Sequence, residues 1–289
     1  MRFYVTSDLH FGLRSGGDKA TIELAQHVTQ NPLDALILVG DLGHDLQSTG
    51  ELLALFADFE GLKLAVPGNH DVWLDPAFEG DSWALHEEAL PEVFEAHGFH
   101  PLHLLPLQVG DTAFVGSMGW YDYSFRDEEI GIPLSAYEAK TLPGERRPLW
   151  NDAVKANFNK ADVPLTRLLD ERLQAQLKQT LGARHVVAAV HHVVTKALLV
   201  HPRERVPHMW RFANAFLGAN RYGQTLQADP RVKTAFCGHI HMERRARLGG
   251  CQCFCVGSDY RRKQLLVATP TGVESDRWFG AAPKPRRGR

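Results

Sequence analysis

Residues 35–41, Ala-Leu-Ile-Leu-Val-Gly-Asp, and residues 62–71, Leu-Lys-Leu-Ala-Val-Pro-Gly-Asn-His-Asp, share one construction: a short apolar-rich run, a glycine, then side chains able to hold a metal. Runs of this length read as buried strands. Upstream, Arg2-Phe3-Tyr4-Val5-Thr6 is a third strand-like run, and Asp8 and His10 follow it. Between the three lie amphipathic stretches. One spans 19–30; the other is expected to open at a capping box, Ser48-Thr49-Gly50-Glu51, and to run to 59. Strand and helix in alternation predict βαβαβ with parallel strands and right-handed crossovers.

Downstream, the pattern predicts a helix over 82–97, strands over 102–109 and 112–116, and an irregular polar stretch over 121–162. A long helix is expected over 164–181, with Pro164 in its first turn and Gly182 at its C-terminal cap. Further strands are expected over 185–190, 232–237, 251–256 and 263–268, the last pair with hairpin-like spacing. The result is a mixed sheet, or two sheets. With 289 residues and 44% apolar content, the chain reads as one domain over 1–280 with inserted segments near 121–163 and 197–222. The tail, 281–289, is rich in Pro, Arg, Lys and Gly and is expected to be disordered and solvated.

Composition narrows the function classes. The first strand follows the start so closely that no secretory signal is expected, and no apolar run approaches the roughly 18 residues of a membrane span. A formal charge of −2 argues against general affinity for nucleic acid. Four cysteines, three of them in Cys251-x-Cys253-x-Cys255, make no disulfide framework and lack the paired spacing of a structural zinc site. They read as small apolar side chains of a strand, in a protein expected in the reducing cytoplasm. Fifteen histidines are the unusual figure, because packing alone does not call for so many.

Several histidines fall just after expected strands. Asp8 and His10 follow the first, Asp41 the second, Asn69 and His70 the third; His191 ends the 185–190 strand, and His239 and His241 follow 232–237. Carboxyl ends of strands in open α/β sheets form the crevice where ligands bind, so these positions are expected to converge. Imidazole, carboxylate and one carboxamide suit manganese, iron or zinc. Seven ligands exceed the needs of one tetrahedral ion, and a carboxylate such as Asp41 can bridge two ions about 3.5 to 4 Å apart.

Asp8-Leu9-His10, Gly40-Asp41, Gly68-Asn69-His70-Asp71, His191-His192 and Gly238-His239-Ile240-His241 resemble, in order, the five blocks of the calcineurin-like metallophosphoesterases. The resemblance implies two packed mixed β-sheets flanked by helices, an αββα sandwich. It implies one ion on Asp8, His10, Asp41 and His241 and another on Asp41, Asn69, His191 and His239, with a hydroxide bridging the two as nucleophile. His70 resembles the family's histidine that contacts the phosphate or protonates the leaving oxygen without holding metal. Where the family has His-x-Pro, this chain has Val193, and His191 is taken as the ligand because it is the first of the pair.

Other departures narrow the branch. The protein phosphatases of the family show Gly-Asp-x-x-Asp-Arg-Gly and Gly-Asn-His-Glu; here the first block continues Leu42-Gly43-His44-Asp45 and the second ends in Asp71. With glycine at 43, the usual carboxylate partner of the acid histidine is missing, and Asp45 or Asp71 is expected to replace it. Purple acid phosphatases carry tyrosine where His44 stands. A nuclease would want a basic groove, and a non-catalytic scaffold would be free to lose ligands, yet all seven are here. The expectation is a phosphodiesterase of a small molecule or nucleotide rather than a monoesterase. Trp120, Tyr121 and Asp122, together with Arg203, Arg205 and His208, are expected to contact the substrate, because aromatic and basic residues interleave there.

Overall fold

The computed structural model describes residues 1–76, 78–199 and 207–281. Strands β1 (Phe3–Thr6), β2 (Ala35–Val39) and β3 (Leu62–Val66) lie side by side and parallel, joined through helices α1 (Ser15–Gln30) and α2 (Leu46–Ala54). β4 (Phe99–Pro101) continues this sheet in parallel beyond β3. On its other side β11 (Lys263–Thr269) runs antiparallel to β1, and β12 (Gly272–Phe279) antiparallel to β11. The second sheet has the order β5 (Leu107–Val109), β6 (Thr112–Ser117), β7 (His185–Val190), β8 (Val232–Cys237), β10 (Cys251–Cys255), β9 (Arg244–Leu248). Among the described residues each sheet thus has six strands, and both are mixed. These are the two packed mixed sheets flanked by helices that the motif resemblance implied.

The apolar runs of the strands follow from burial on both faces. In β1, Phe3 and Val5 join Ile37, Val39, Phe114, Val187 and Phe236 in the layer between the sheets, while Tyr4 packs with Leu24 and Val28 of α1 on the outer face. The Phe3 ring meets Phe114 edge-on at 5.6 Å. Truncating such a ring to alanine costs about 3–5 kcal/mol.

Four expectations are corrected. The second helix begins three residues early: Asp45 accepts from the Ser48 amide while Ser48 Oγ accepts from the Asp45 amide, so the capping box is Asp45 with Ser48. The helix expected over 82–97 is interrupted, with α3 (Ser82–Ala84) and α4 (Leu90–Ala96) separated by a π-turn at Leu85–Ala89. The expected strand over 102–109 is broken: β4 ends at Pro101, whose carbonyl accepts from Leu104 and Leu105 in a turn, and β5 starts at Leu107. Finally, β10 and β11 do not pair. Instead β10 forms a hairpin with β9, and β11 with β12. Their outer strands carry charge at the sheet edges, as in Arg244-Arg245-Ala246-Arg247 and Glu274-Ser275-Asp276-Arg277. Charge guards an exposed edge and hides its alternation. The loop between β10 and β11 therefore crosses from one sheet to the other.

The segment 121–162 holds two short helices, α5 (Leu134–Glu138) and α6 (Asp152–Lys155). It leads into α7 (Asp162–Gln179), and α8 (His208–Ala213) and α9 (Asn220–Ala228) precede β8. Residues 282–289 of the basic tail lie outside the described residues. Among the described residues, no helix is long and apolar enough to cross a membrane.

Candidate metal centre

The proposed ligands come from both sheets. Asp8, His10, Asp41 and Asn69 follow β1, β2 and β3, while His191, His239 and His241 follow β7 and β8. Backbone bonds tie the loops together: the Asp8 amide donates to Gly40 O at 3.0 Å and the His10 amide to Asp41 O at 2.9 Å. The His239 amide donates to Asp8 Oδ1 at 2.9 Å, which joins one sheet to the other. Asp8, His10, Asp41, His239 and His241 all have φ between 43° and 72°. That region is unfavourable for residues with a Cβ, and such strain concentrates at functional sites.

The preceding glycines serve close approach more than turning. Gly40 alone of the three has positive φ, at 80°. A Cβ on Gly68 would run into Asp41 Oδ1 and His191, and one on Gly238 into Ser7 Oγ and Asp8 Oδ2.

Two groups of donor atoms result, Asp8, His10, Asp41, His241 and Asp41, His191, His239, with the atoms of each group within 4.8 Å of one another. Asp41 belongs to both. His10 Nε2, Asp41 Oδ2, Asn69 Oδ1 and His191 Nε2 are buried without a hydrogen-bond partner. Buried polar atoms are nearly always satisfied, so this concentration of orphans, all lone-pair donors, fits divalent ions. Second partners aim the rings, as metal ligands require. His191 Nδ1 donates to Val39 O at 2.8 Å, leaving Nε2 3.3 Å from Asp41 Oδ1; His241 Nδ1 donates to Ser258 O at 3.1 Å. Ser258 sits in the crossing loop between β10 and β11.

Electrostatics follow the same grouping. Burial opposes charge on Asp41, but His191, His70 and His10 around it outweigh burial and hold its pKa well below the carboxylate range. Burial likewise opposes charge on His191, yet Asp41 and Asp8 beside it raise its pKa to about 9. His192 behaves oppositely. Its Nδ1 donates to Met118 O at 3.0 Å, it belongs to neither donor group, and burial, with His191 adding to it, lowers its pKa to about 3.

His70 lies at the mouth of the site, its side chain 20% exposed and its Nε2 3.9 Å from Asp41 Oδ2. Neither expected partner holds its ring. The Asp71 carboxylate accepts from the Leu42 and Gly68 amides, and Asp45 is committed to its helix cap. Instead the imidazole stacks on Trp73 with centroids 3.6 Å apart.

A cavity of about 680 Å³ opens over Asp41, Asn69, His70, His239 and His241; Trp73, Trp150, Trp210 and Tyr260 are among its walls. Trp120 and Tyr121, expected at the substrate, are only 2% and 0% exposed and pack beneath the site. Their polar ends are already used, Trp120 Nε1 on Asp162 and Tyr121 OH on Asp152. Asp122 accepts from the Ser124 amide and pairs with Arg221. His208 is exposed, whereas its neighbours Pro207 and Trp210 line the cavity. Arg203 and Arg205 lie outside the described residues. Sequence reading missed Trp73, Trp150, Tyr260 and Asp152. Trp73 stands three residues past His70, just beyond the block that holds it, which was a usable signal; Tyr260 and Asp152 gave none.

The sequence profile of the calcineurin-like phosphoesterases matches residues 1–243. No curated protein matches the chain. Among solved structures, a phosphopantetheinyl hydrolase from Mycobacterium tuberculosis is similar with TM-score 0.64 and 21% identity over 89% of each chain. A dimetal phosphatase from Danio rerio follows with TM-score 0.56 and 12% identity, over 98% of this chain and 99% of that one. At these identities the likeness speaks for the fold.

Proposed function

The chain belongs to the calcineurin-like phosphoesterase family, a family of metal-dependent phosphoester hydrolases, and from that premise we propose that it hydrolyses a phosphodiester of a small molecule or nucleotide with two divalent ions. The observation that carries the proposal is the set of orphaned lone pairs converging on Asp41 beneath a cavity walled by tryptophan. Asp8, His10, Asp41 and His241 would hold one ion; Asp41, Asn69, His191 and His239 the other. Bound there, the ions would lower the pKa of water and stabilise charge on the attacking and leaving oxygens of an in-line displacement.

The remaining work falls to side chains. Burial lowers the His70 pKa, so at neutral pH the ring is a neutral N–H donor to the phosphoryl or leaving oxygen. The stack on Trp73 restricts its rotation. Trp150, Trp210 and Leu199 offer apolar surface beside the reacting phosphorus. A diester carries a second organic group that such surface can bind and exclude from water, which a monoester lacks. A phosphopantetheinyl ester, the substrate class in the name of one structural neighbour, has an uncharged arm of this kind.

The test is turnover of matched mono- and diesters, nitrophenyl, nucleotide and phosphopantetheinyl, with manganese, zinc or iron supplied separately. Diester turnover should exceed monoester turnover with at least one metal. Preference for monoesters under every metal would overturn the diester assignment and leave the hydrolase class standing.

A further inference from the structure

We infer that Asp152, contributed by the inserted segment 121–163, is a positioning residue that orients Asn69 toward its ion. The inference rests on the reading of Asn69 as a ligand. Asp152 is 3% exposed and opens α6. Its Oδ1 accepts from Asn69 Nδ2 at 3.0 Å and Trp73 Nε1 at 2.6 Å; its Oδ2 accepts from Trp150 Nε1 at 2.8 Å and Tyr121 OH at 3.2 Å. Four neutral donors thus surround a buried carboxylate, two to each oxygen. A buried carboxylate left unbonded would be strongly destabilising, so the four bonds explain how it is tolerated.

The consequence for Asn69 is a matter of polarity. The two ends of a carboxamide have nearly the same shape and opposite hydrogen-bonding character. An indole N–H can only donate, and one donates to each Asp152 oxygen, so both oxygens act as acceptors and Asp152 selects the orientation with Nδ2 toward itself. Oδ1 then points the other way, where it is buried without a partner. Reversed, the amide would present N–H groups to a cation.

The same carboxylate reaches further. Through Trp73 it holds the surface on which His70 stacks, and through Trp150 it holds a cavity wall whose ring packs against His239 at 5.8 Å. One side chain of the insertion therefore sets a ligand, the stacking partner of His70 and a wall of the cavity.

The experiment is calorimetric titration of metal-free protein with zinc or manganese for the wild type, Asp152→Asn, Asn69→Ala and the double variant, with near-ultraviolet circular dichroism to check folding. Asn69→Ala should weaken one of two binding steps. Asp152→Asn should weaken the same step by roughly 10- to 100-fold, the usual effect of losing an outer partner, and leave the other step unchanged. The double variant should bind no more weakly than Asn69→Ala alone, since with the ligand gone there is nothing left to orient. A purely structural role would instead add its loss in both backgrounds, and that result, or an unchanged isotherm for Asp152→Asn, overturns the inference. Asn69→Ala with both steps intact would reject the ligand reading and the inference together. Should Asp152→Asn not fold, the exchange Asn69→Asp with Asp152→Asn carries the test, because it keeps one bond with donor and acceptor reversed. A folded exchange variant that lacks the step counts against the inference, and one that recovers it counts for it.

Discussion

Among the described residues, fully buried histidines with unpartnered ring nitrogens gather in two regions, and only one has the features of a site. At the metal centre, His10 Nε2 and His191 Nε2 share their surroundings with Asp41 Oδ2 and Asn69 Oδ1. Some distance along the chain, His86 and His103 meet edge-on at 4.7 Å, and His86 Nε2 and His103 Nδ1 are orphaned as well. There His86 Nδ1 donates to Glu87, which also pairs with Arg172, and His103 Nε2 donates to His86 O. The second pair has no shared buried carboxylate, no residue of positive φ and no place on the large cavity. A buried histidine is thus weak evidence of function. A carboxylate at the focus, strained backbone beneath it and close-approach glycines separate the two regions.

The largest expected effect tests that focus. Asp41→Asn should lower affinity in both metal steps and cut hydrolysis by on the order of 10³-fold or more, since the ions contribute several kcal/mol of charge stabilisation. His103→Gln should change neither. Two full metal equivalents and wild-type turnover in Asp41→Asn would remove the distinction between the regions. Next, His191→Ala should lose metal from one step, while His192→Ala keeps both and loses stability by about 1–3 kcal/mol through a vacated buried site. Metal analysis that showed the reverse would move the ligand by one residue.

How much of this was legible depended on what each residue does. The strands 35–39, 62–66, 185–190 and 232–237 could be read to the residue because each ends in a run of at least three buried residues, with the polar Lys63, His185, Lys233 and Thr234 confined to the first halves of their strands. β9 and β12 escaped because edge strands are charged, and with them went the pairing of β10 and β11. The seven proposed ligands could be named because each follows such a strand directly. Asp152 could not, for its role depends on Asn69 and Trp73 from one loop and Tyr121 from another meeting it beside its own neighbour Trp150. Trp120 and Tyr121 looked like cavity residues because aromatic composition cannot distinguish a wall from a floor.

His70 sharpens the comparison from inside the site, as a histidine at the centre that is proposed to hold no metal. His70→Ala should keep both ions and lose roughly 10²- to 10⁴-fold in rate on an alkyl phosphodiester, with a smaller loss when nitrophenolate leaves. Equal losses on both would favour contact with the phosphate over help to the leaving group. Trp73→Ala should lower the rate in the same direction by a smaller factor, because the ring that restricts His70 is gone. Metal loss in His70→Ala would make it a ligand instead.

The smallest effect concerns the pair outside the site. Burial lowers the pKa of His86 and, further, of His103. Each donates its one N–H, His86 to Glu87 and His103 to the His86 carbonyl, so the orphaned nitrogens are bare lone pairs. Protonating either would bury an N–H with no acceptor. Because the folded pKa values lie below the unfolded value of about 6.5, the unfolded chain binds more protons as pH falls through that value, and stability falls with it. One such group contributes a slope of up to about 1.4 kcal/mol per pH unit. In the metal-free protein His10, His70 and His239 titrate in the same direction and His191, with its raised pKa, in the opposite one, so the informative quantity is a difference. His103→Gln keeps a donor toward the His86 carbonyl and removes one titrating ring. Urea midpoints of metal-free protein between pH 7.5 and 5 should therefore fall less steeply for His103→Gln than for the wild type, with equal stability near pH 7.5 to within about 1 kcal/mol. Parallel pH dependences would mean that His103 is protonated in the folded protein, and that an acceptor does reach its second nitrogen.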